Sequence, residues 1–141
     1  MSKAPEVILD VAHNEDSAKK LQENLNKNYK RHTVAIIGIL KDKDVYSLIK
    51  PMIDIVDEWY CVTIDSSRGM NAKEIQTRIS TLVSKDKIHT HDAMLSASSS
   101  AMSRLKNDSR LIVYGSFYTV SEYLSCHRML NNHSTINSNE S

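Results

Sequence analysis

The sequence predicts an α/β domain: a mostly parallel sheet of about five strands with helices on both faces. Three observations carry this reading. Short apolar runs alternate with stretches of helical spacing in the order βαβαβαβαβα. The clearest run, residues 33–40, is apolar on both faces, as in a strand covered by helices twice. The length of 141 residues, 40% hydrophobic and 25% charged, fits one ordinary globular domain with one sizeable core.

The elements follow in order. Residues 6–11, with Val7, Ile8, Leu9 and Val11, predict a buried first strand. Asn14 is a good N-cap, and Glu15 and Asp16 suit a first helical turn. Ala18, Leu21 and Leu25 then recur at helical spacing, giving a helix over 15–28. Residues 33–40 form the second strand. Asp44 caps a helix whose apolar set is Val45, Leu48, Ile49, Met52, Ile53 and Val56. Pro51 falls inside that pattern and predicts a break, with the chain restarting at the proline.

Residues 59–64 give the third strand. Asn71 opens a helix carrying Ile75, Ile79, Leu82 and Val83, and residues 87–89 give a short fourth strand. Asp92 is read as the cap of a helix with Ala93, Ala97, Ala101 and Leu105. Residues 110–115 are the fifth strand, and Val120, Tyr123 and Leu124 define a last helix ending near Leu130. The domain is thus expected over residues 1–130. Residues 131–141 are polar apart from Ile136 and are expected to be a disordered tail. Crossovers should be right-handed.

Composition excludes several functions. Gly38, Gly69 and Gly115 are the three glycines, and they are too widely spaced for GxGxxG or a P-loop. The 18 basic and 17 acidic residues alternate, as in Lys41-Asp42-Lys43-Asp44, which argues against nucleic-acid binding. Cys61 and Cys126 form no CxxC, so two free thiols in a reducing compartment are expected. No run reaches the roughly 18 apolar residues of a membrane helix, and the N-terminus lacks a signal-peptide core. A cytoplasmic monomer without nucleic-acid or membrane partners is the expectation.

In open α/β sheets the site lies beyond the carboxyl ends of the strands. That rule selects Asp10, His13 and Asn14; Lys41, Asp42 and Lys43; Asp65, Ser66, Ser67 and Arg68; and Ser116. Carboxylate, imidazole, cations and hydroxyl together suit a zwitterionic or phosphorylated ligand. Simpler roles compete. Asn14 is first a helix cap, Asp10 can bond loop amides, Arg68-Gly69 is a turn, and Gly115-Ser116 a strand-to-helix turn. Ser116 is not a hydrolase nucleophile, because Tyr118 stands where GxSxG needs glycine. His89, His91 and Asp92 are explained by a strand end and a cap, so no metal is assigned.

Three stretches go further. Residues 8–14, Ile-Leu-Asp-Val-Ala-His-Asn, resemble the LDxAHN signature opening the C-terminal domain of folylpolyglutamate synthases, within the Mur ligase superfamily. Residues 38–44, 57–61 and 68–69 resemble the bacterial bifunctional dihydrofolate synthase/folylpolyglutamate synthase family. Residues 115–120 are similar to its GSFxTV segment. The match covers about residues 6–130 and implies a Rossmann-like fold of the Mur ligase C-terminal domain type.

The resemblance implies an ATP-dependent ligase that joins L-glutamate to pteroate or folate through an acyl phosphate. It places Asp10 on the nucleotide side and His13 and Ser116 on the incoming glutamate. Asn14, Lys41 and Arg68 become anion contacts. ATP and Mg2+ belong to the complete enzyme, with none bound by this domain alone. Glu15 stands where the family usually has proline after asparagine, and both residues suit a first helical turn. The larger departure is the lack of a glycine-rich ATP loop, a central ATPase domain and the magnesium-binding residues. The chain is therefore expected to be a piece of a ligase, inactive alone. The rival reading is a non-catalytic module binding glutamate or another anion, or a decayed fragment.

Overall fold

The computed structural model describes residues 5–26 and 31–138. The strands are β1 (Glu6–Leu9), β2 (Thr33–Ile37), β3 (Glu58–Val62), β4 (Ile88–His91) and β5 (Arg110–Tyr114). The helices are α1 (Glu15–Asn26), α2 (Val45–Ile49), α3 (Ala72–Ile79), α4 (Met94–Ser103) and α5 (Phe117–Ser138). All four strand pairings are parallel, in the order β1-β5-β2-β3-β4.

Strand periodicity divides the core between the two faces. Ala35, Ile37, Trp59, Cys61, Ile112 and Tyr114 meet Leu21 and Leu25 of α1, Leu48 and Ile49 of α2, and Ile75 and Ile79 of α3. Val34, Ile36, Tyr60, Val62, Leu111 and Val113 meet Met94, Ala97 and Ala101 of α4 and Tyr123 of α5. The first three crossovers run in one direction across the sheet, and the fourth returns from β4 to β5. Helix side changes where direction changes, so all four crossovers share one hand.

Caps and breaks set the boundaries. Asn14 Oδ1 accepts from the Ser17 amide at 2.9 Å, and the Ser17 hydroxyl donates back to Asn14 Oδ1 at 2.7 Å. Asp44 and Asn71 accept from Tyr46 and Lys73 amides at 3.0 and 2.8 Å. Pro51 ends α2 as expected: the helix gives way to a 3-10 turn, Lys50–Met52. The expected end of α1 at residue 28 lies outside the described residues.

Several sequence expectations change. α3 ends at Ile79, before Leu82 and Val83, and β3 ends at Val62. β1 is not buried. It pairs only with β5 at the sheet edge, leaving Val7 44% and Leu9 36% exposed. The second strand stops at Ile37, and Leu40 makes a separate antiparallel bridge to Gly69. Asp92 does not cap α4. β4 runs on to His91, so the turn takes both Asp92 and Ala93, and Ala93 occupies the N-cap without a side-chain bond. Finally, α5 continues past Leu130 to Ser138. Extending a formed helix needs no new nucleus, and residues 131–138 contain neither glycine nor proline to stop it.

Candidate functional site

Because every strand is parallel, the loops after β1, β2, β3 and β5 share one edge. Two glycines let them close on each other. Gly115 has φ +121°, and a Cβ there would stand 2.3 Å from the Gly38 carbonyl oxygen. Its amide donates to Ala12 O at 3.1 Å, tying the β5 loop to the β1 loop. A Cβ on Gly69 would meet Ile64 O at 2.6 Å, so the β3 loop can turn here only with glycine. That turn is then stitched to the β2 loop. Lys41 N donates to Arg68 O at 2.7 Å, and Met70 N to Ile39 O at 2.8 Å.

A cleft of about 360 Å³ opens where these loops meet. Val11, Leu40, Phe117 and Tyr118 form apolar walls, while His13, Lys43, Arg68 and Ser116 bring the polar groups. Phe117 is 67% exposed and Tyr118 41%, with ring centroids 6.3 Å apart edge to face. Apolar walls with a few convergent cations suit an anionic ligand of mixed character.

Of the six residues to which the resemblance gives a role, the structure brings three into the cleft, His13, Arg68 and Ser116, and Lys43 joins them from the strand-end set. Asp10, Asn14 and Lys41 stand outside the cleft wall. Asp10 Oδ1 accepts from the Ala12 amide at 2.8 Å, which shapes the turn that delivers His13. Asn14 is the α1 cap, and Lys41 contributes its backbone amide to the Arg68 bridge.

Ser116 is 2% exposed and serves as the α5 N-cap. Its Oγ accepts from Thr119 N at 3.1 Å and lies 2.8 Å from Thr119 Oγ1. Thr119 in turn donates to Gly38 O at 2.7 Å. The hydroxyl is thus held inside the wall of the cleft.

Lys43, selected by the strand-end rule but given no role by the resemblance, also lines the cleft, in a turn closed by its amide donating to Leu40 O at 3.1 Å. Two contributors were missed by sequence reasoning. Phe117 and Tyr118 offered the signal of two adjacent aromatics at a helix start, where a solvent-facing pair has no packing role.

Glu122 supports the β3 loop from behind. Its carboxylate accepts from the Asp65 amide at 2.7 Å. Burial chiefly, with the Asp65 charge adding, raises its pKa against that hydrogen bond, which lowers it. Among the described residues, no three His, Cys, Asp or Glu side chains are grouped to hold a metal ion. Nor is any helix among them long and apolar enough to cross a membrane.

This parallel sheet with its strand-end cleft defines an α/β ligand-binding domain, and the chain belongs to the family "Mur ligase, glutamate ligase domain", whose model matches residues 1–117. Within that family it corresponds to the C-terminal domain of bacterial dihydrofolate synthase/folylpolyglutamate synthases. The Haemophilus influenzae protein of that name is 35% identical over 130 residues, covering 84% of this chain and 28% of its own length. The Escherichia coli protein is 32% identical over 125 residues, covering 88% and 28%.

Solved structures agree. Escherichia coli FolC in complex with ADP superposes with a TM-score of 0.82 at 28% identity, over 94% of this chain and 31% of that one. A bifunctional folylpolyglutamate synthase/dihydrofolate synthase with Mn, AMPPNP and L-glutamate bound gives a TM-score of 0.75 at 32% identity, over 94% and 30%. The chain therefore spans under a third of the length of these relatives.

Proposed function

We propose that this chain forms the glutamate side of an ATP-dependent ligase that joins L-glutamate to a pteroate or folate carboxylate. The observation that carries this reading is the convergence of His13, Lys43 and Arg68 on one strand-end cleft, in a chain of the glutamate ligase family. Lys43 and Arg68 supply two positive charges for a dianionic amino acid, and His13 supplies an imidazole at the rim. These groups orient the substrate. In the net reaction a C–N bond forms between the glutamate amine and the activated acyl carbon, phosphate leaves, and the amine gives up a proton. Orientation and exclusion of water are what a closing domain contributes to such a step.

The donor set fits an anion and not a metal ion, since the cleft lining contains cations and no carboxylate. ATP and its Mg2+ accordingly belong to a separate ATPase domain, against which the apolar rim of Val11, Phe117 and Tyr118 would close. The purified chain alone should then give no ATP-dependent addition of radiolabelled glutamate to dihydropteroate or folate. Turnover by the chain alone would refute its dependence on that domain. An NMR titration with L-glutamate should shift His13, Lys43 and Arg68 signals, and Arg68→Ala should abolish the response. No saturable shift at these residues would refute the site.

A further inference from the structure

We propose that a second cleft, between β4 and α4, binds a small tetrahedral oxyanion such as a phosphoryl group, held by Arg104, His89 and His91. This cleft has a volume of about 640 Å³ and shares no lining residue with the strand-end cleft. β4 is the edge strand opposite β1, so the two clefts lie at different parts of the sheet.

The cleft holds uncommitted polar groups. His89 Nε2 is buried and has no hydrogen-bond partner among the described residues. It lies 3.4 Å from Glu58 Oε1, close enough for an ion pair but without hydrogen-bond alignment. The side chains of Gln76, Thr90 and Ser100 also line the cleft and make no hydrogen bond to any described residue. A buried polar atom without a partner costs about 1–3 kcal/mol, so a ligand that supplies one is favoured.

The local charges say what ligand fits, and under what condition. On β3, Tyr60 donates to Glu58 Oε1 at 3.2 Å. On the α4 side, Arg104 Nε donates to the Tyr60 hydroxyl at 3.3 Å and stands 3.7 Å from Glu58 Oε1. Arg104 thus offsets Glu58 and keeps its remaining guanidinium donors for the cleft. Asp92 follows β4 and acts on His91.

With both imidazoles neutral, Glu58 and Asp92 outweigh Arg104. Protonating His89 and His91 reverses the sign. The Tyr60 ring stacks on both imidazoles, at 4.5 and 6.0 Å between centroids, and holds them side by side. Burial first, and then the His89 charge, keep the His91 pKa below its usual range. A bound oxyanion favours the protonated imidazole by its charge, so binding and protonation should reinforce each other.

The test is an NMR titration of the chain with sodium sulfate at about pH 6 and about pH 7.5, with sodium chloride as the ionic-strength control. Sulfate keeps its charge across this range, which is where imidazoles titrate. Saturable shifts should be confined to Gln76, His89, Thr90, His91, Ser100 and Arg104. Affinity should be about tenfold higher at the lower pH, the equivalent of a one-unit rise in one imidazole pKa.

Arg104→Gln, at an exposed position that leaves the fold intact, should abolish the shifts. Ser100→Ala should weaken them. Absent shifts, shifts equal at both pH values, or shifts retained in Arg104→Gln would each overturn the proposal. Phosphoserine identifies the source of the anion: tighter binding than sulfate assigns a phosphoryl group carried on a larger molecule, and equal binding a free anion.

Discussion

The Thr119 hydroxyl donates to the Gly38 carbonyl oxygen at 2.7 Å, joining the start of α5 to the end of β2 beneath the strand-end cleft. Thr119 is fully buried, and Ser116 Oγ is 2.8 Å from the same hydroxyl. Thr119→Val fills the same space but leaves two buried oxygens short of a partner. Unfolding in urea should show a loss of about 1–3 kcal/mol. Thr119→Ser keeps the hydroxyl and should lose only about 1 kcal/mol for its methyl group.

Gly115→Ala should be more damaging than its single added carbon suggests. The residue sits at φ +121°, and the new Cβ meets backbone, which cannot step aside as a side chain can. Strain alone costs about 1–3 kcal/mol, and relieving the clash must move the loop carrying Ser116 and Phe117. Chemical denaturation should report the loss. Displaced amide signals at Phe117 and Tyr118 should report the movement, and unchanged signals would contradict it.

Much of the fold was readable because strand burial writes itself into composition. β2, β3 and β5 are interior strands, and their uninterrupted apolar residues declare two covered faces. β1 reads the same way yet lies at an edge. Val7, Ile8 and Leu9 cannot say which neighbours they have, since strand order is settled by where β5 inserts. The site divides likewise. The strand-end rule gathered His13, Lys43, Arg68 and Ser116 from distant stretches. Whether a side chain faces the cleft depends on hydrogen bonds between loops, such as Lys41 to Arg68, which leave no local trace.

Arg31 fastens the other end of the sheet. Its side chain is 9% exposed. Nε and Nη2 donate to the Asp108 and Ser109 carbonyls at 2.7 and 2.8 Å, and Nη1 to Glu6 at 2.7 Å. Arg31→Met strips both carbonyls of a charged donor and should cost about 2–3 kcal/mol. Glu6 is 45% exposed, so Glu6→Gln should cost under about 1 kcal/mol. Hydrogen exchange in β1 should accelerate in the first variant and change little in the second.

Glu122 predicts a pH dependence of definite sign. Burial raises its pKa above the ordinary 4.5, so the folded chain holds this proton more tightly than the unfolded chain. The contribution favours the fold below the unfolded value and is lost as pH rises through the folded one. Glu122→Gln keeps an oxygen for the Asp65 amide and removes the titration. The Tm of the wild type minus that of the variant should therefore fall on raising the pH through that interval and then level off. A difference that rises with pH, or stays flat, would contradict the assignment.

The position of β5 has a consequence for how the chain is made. β5 is the last strand synthesised, and it lies between β1 and β2. β2, β3 and β4 are neighbours in order and can pair as they emerge from the ribosome, but β1 has no partner until β5 arrives. Of the strands of this sheet, the first in the chain is thus the last to be incorporated. Its apolar residues wait while all the elements between β1 and β5 are made, which makes this segment a natural client for a chaperone acting on nascent chains.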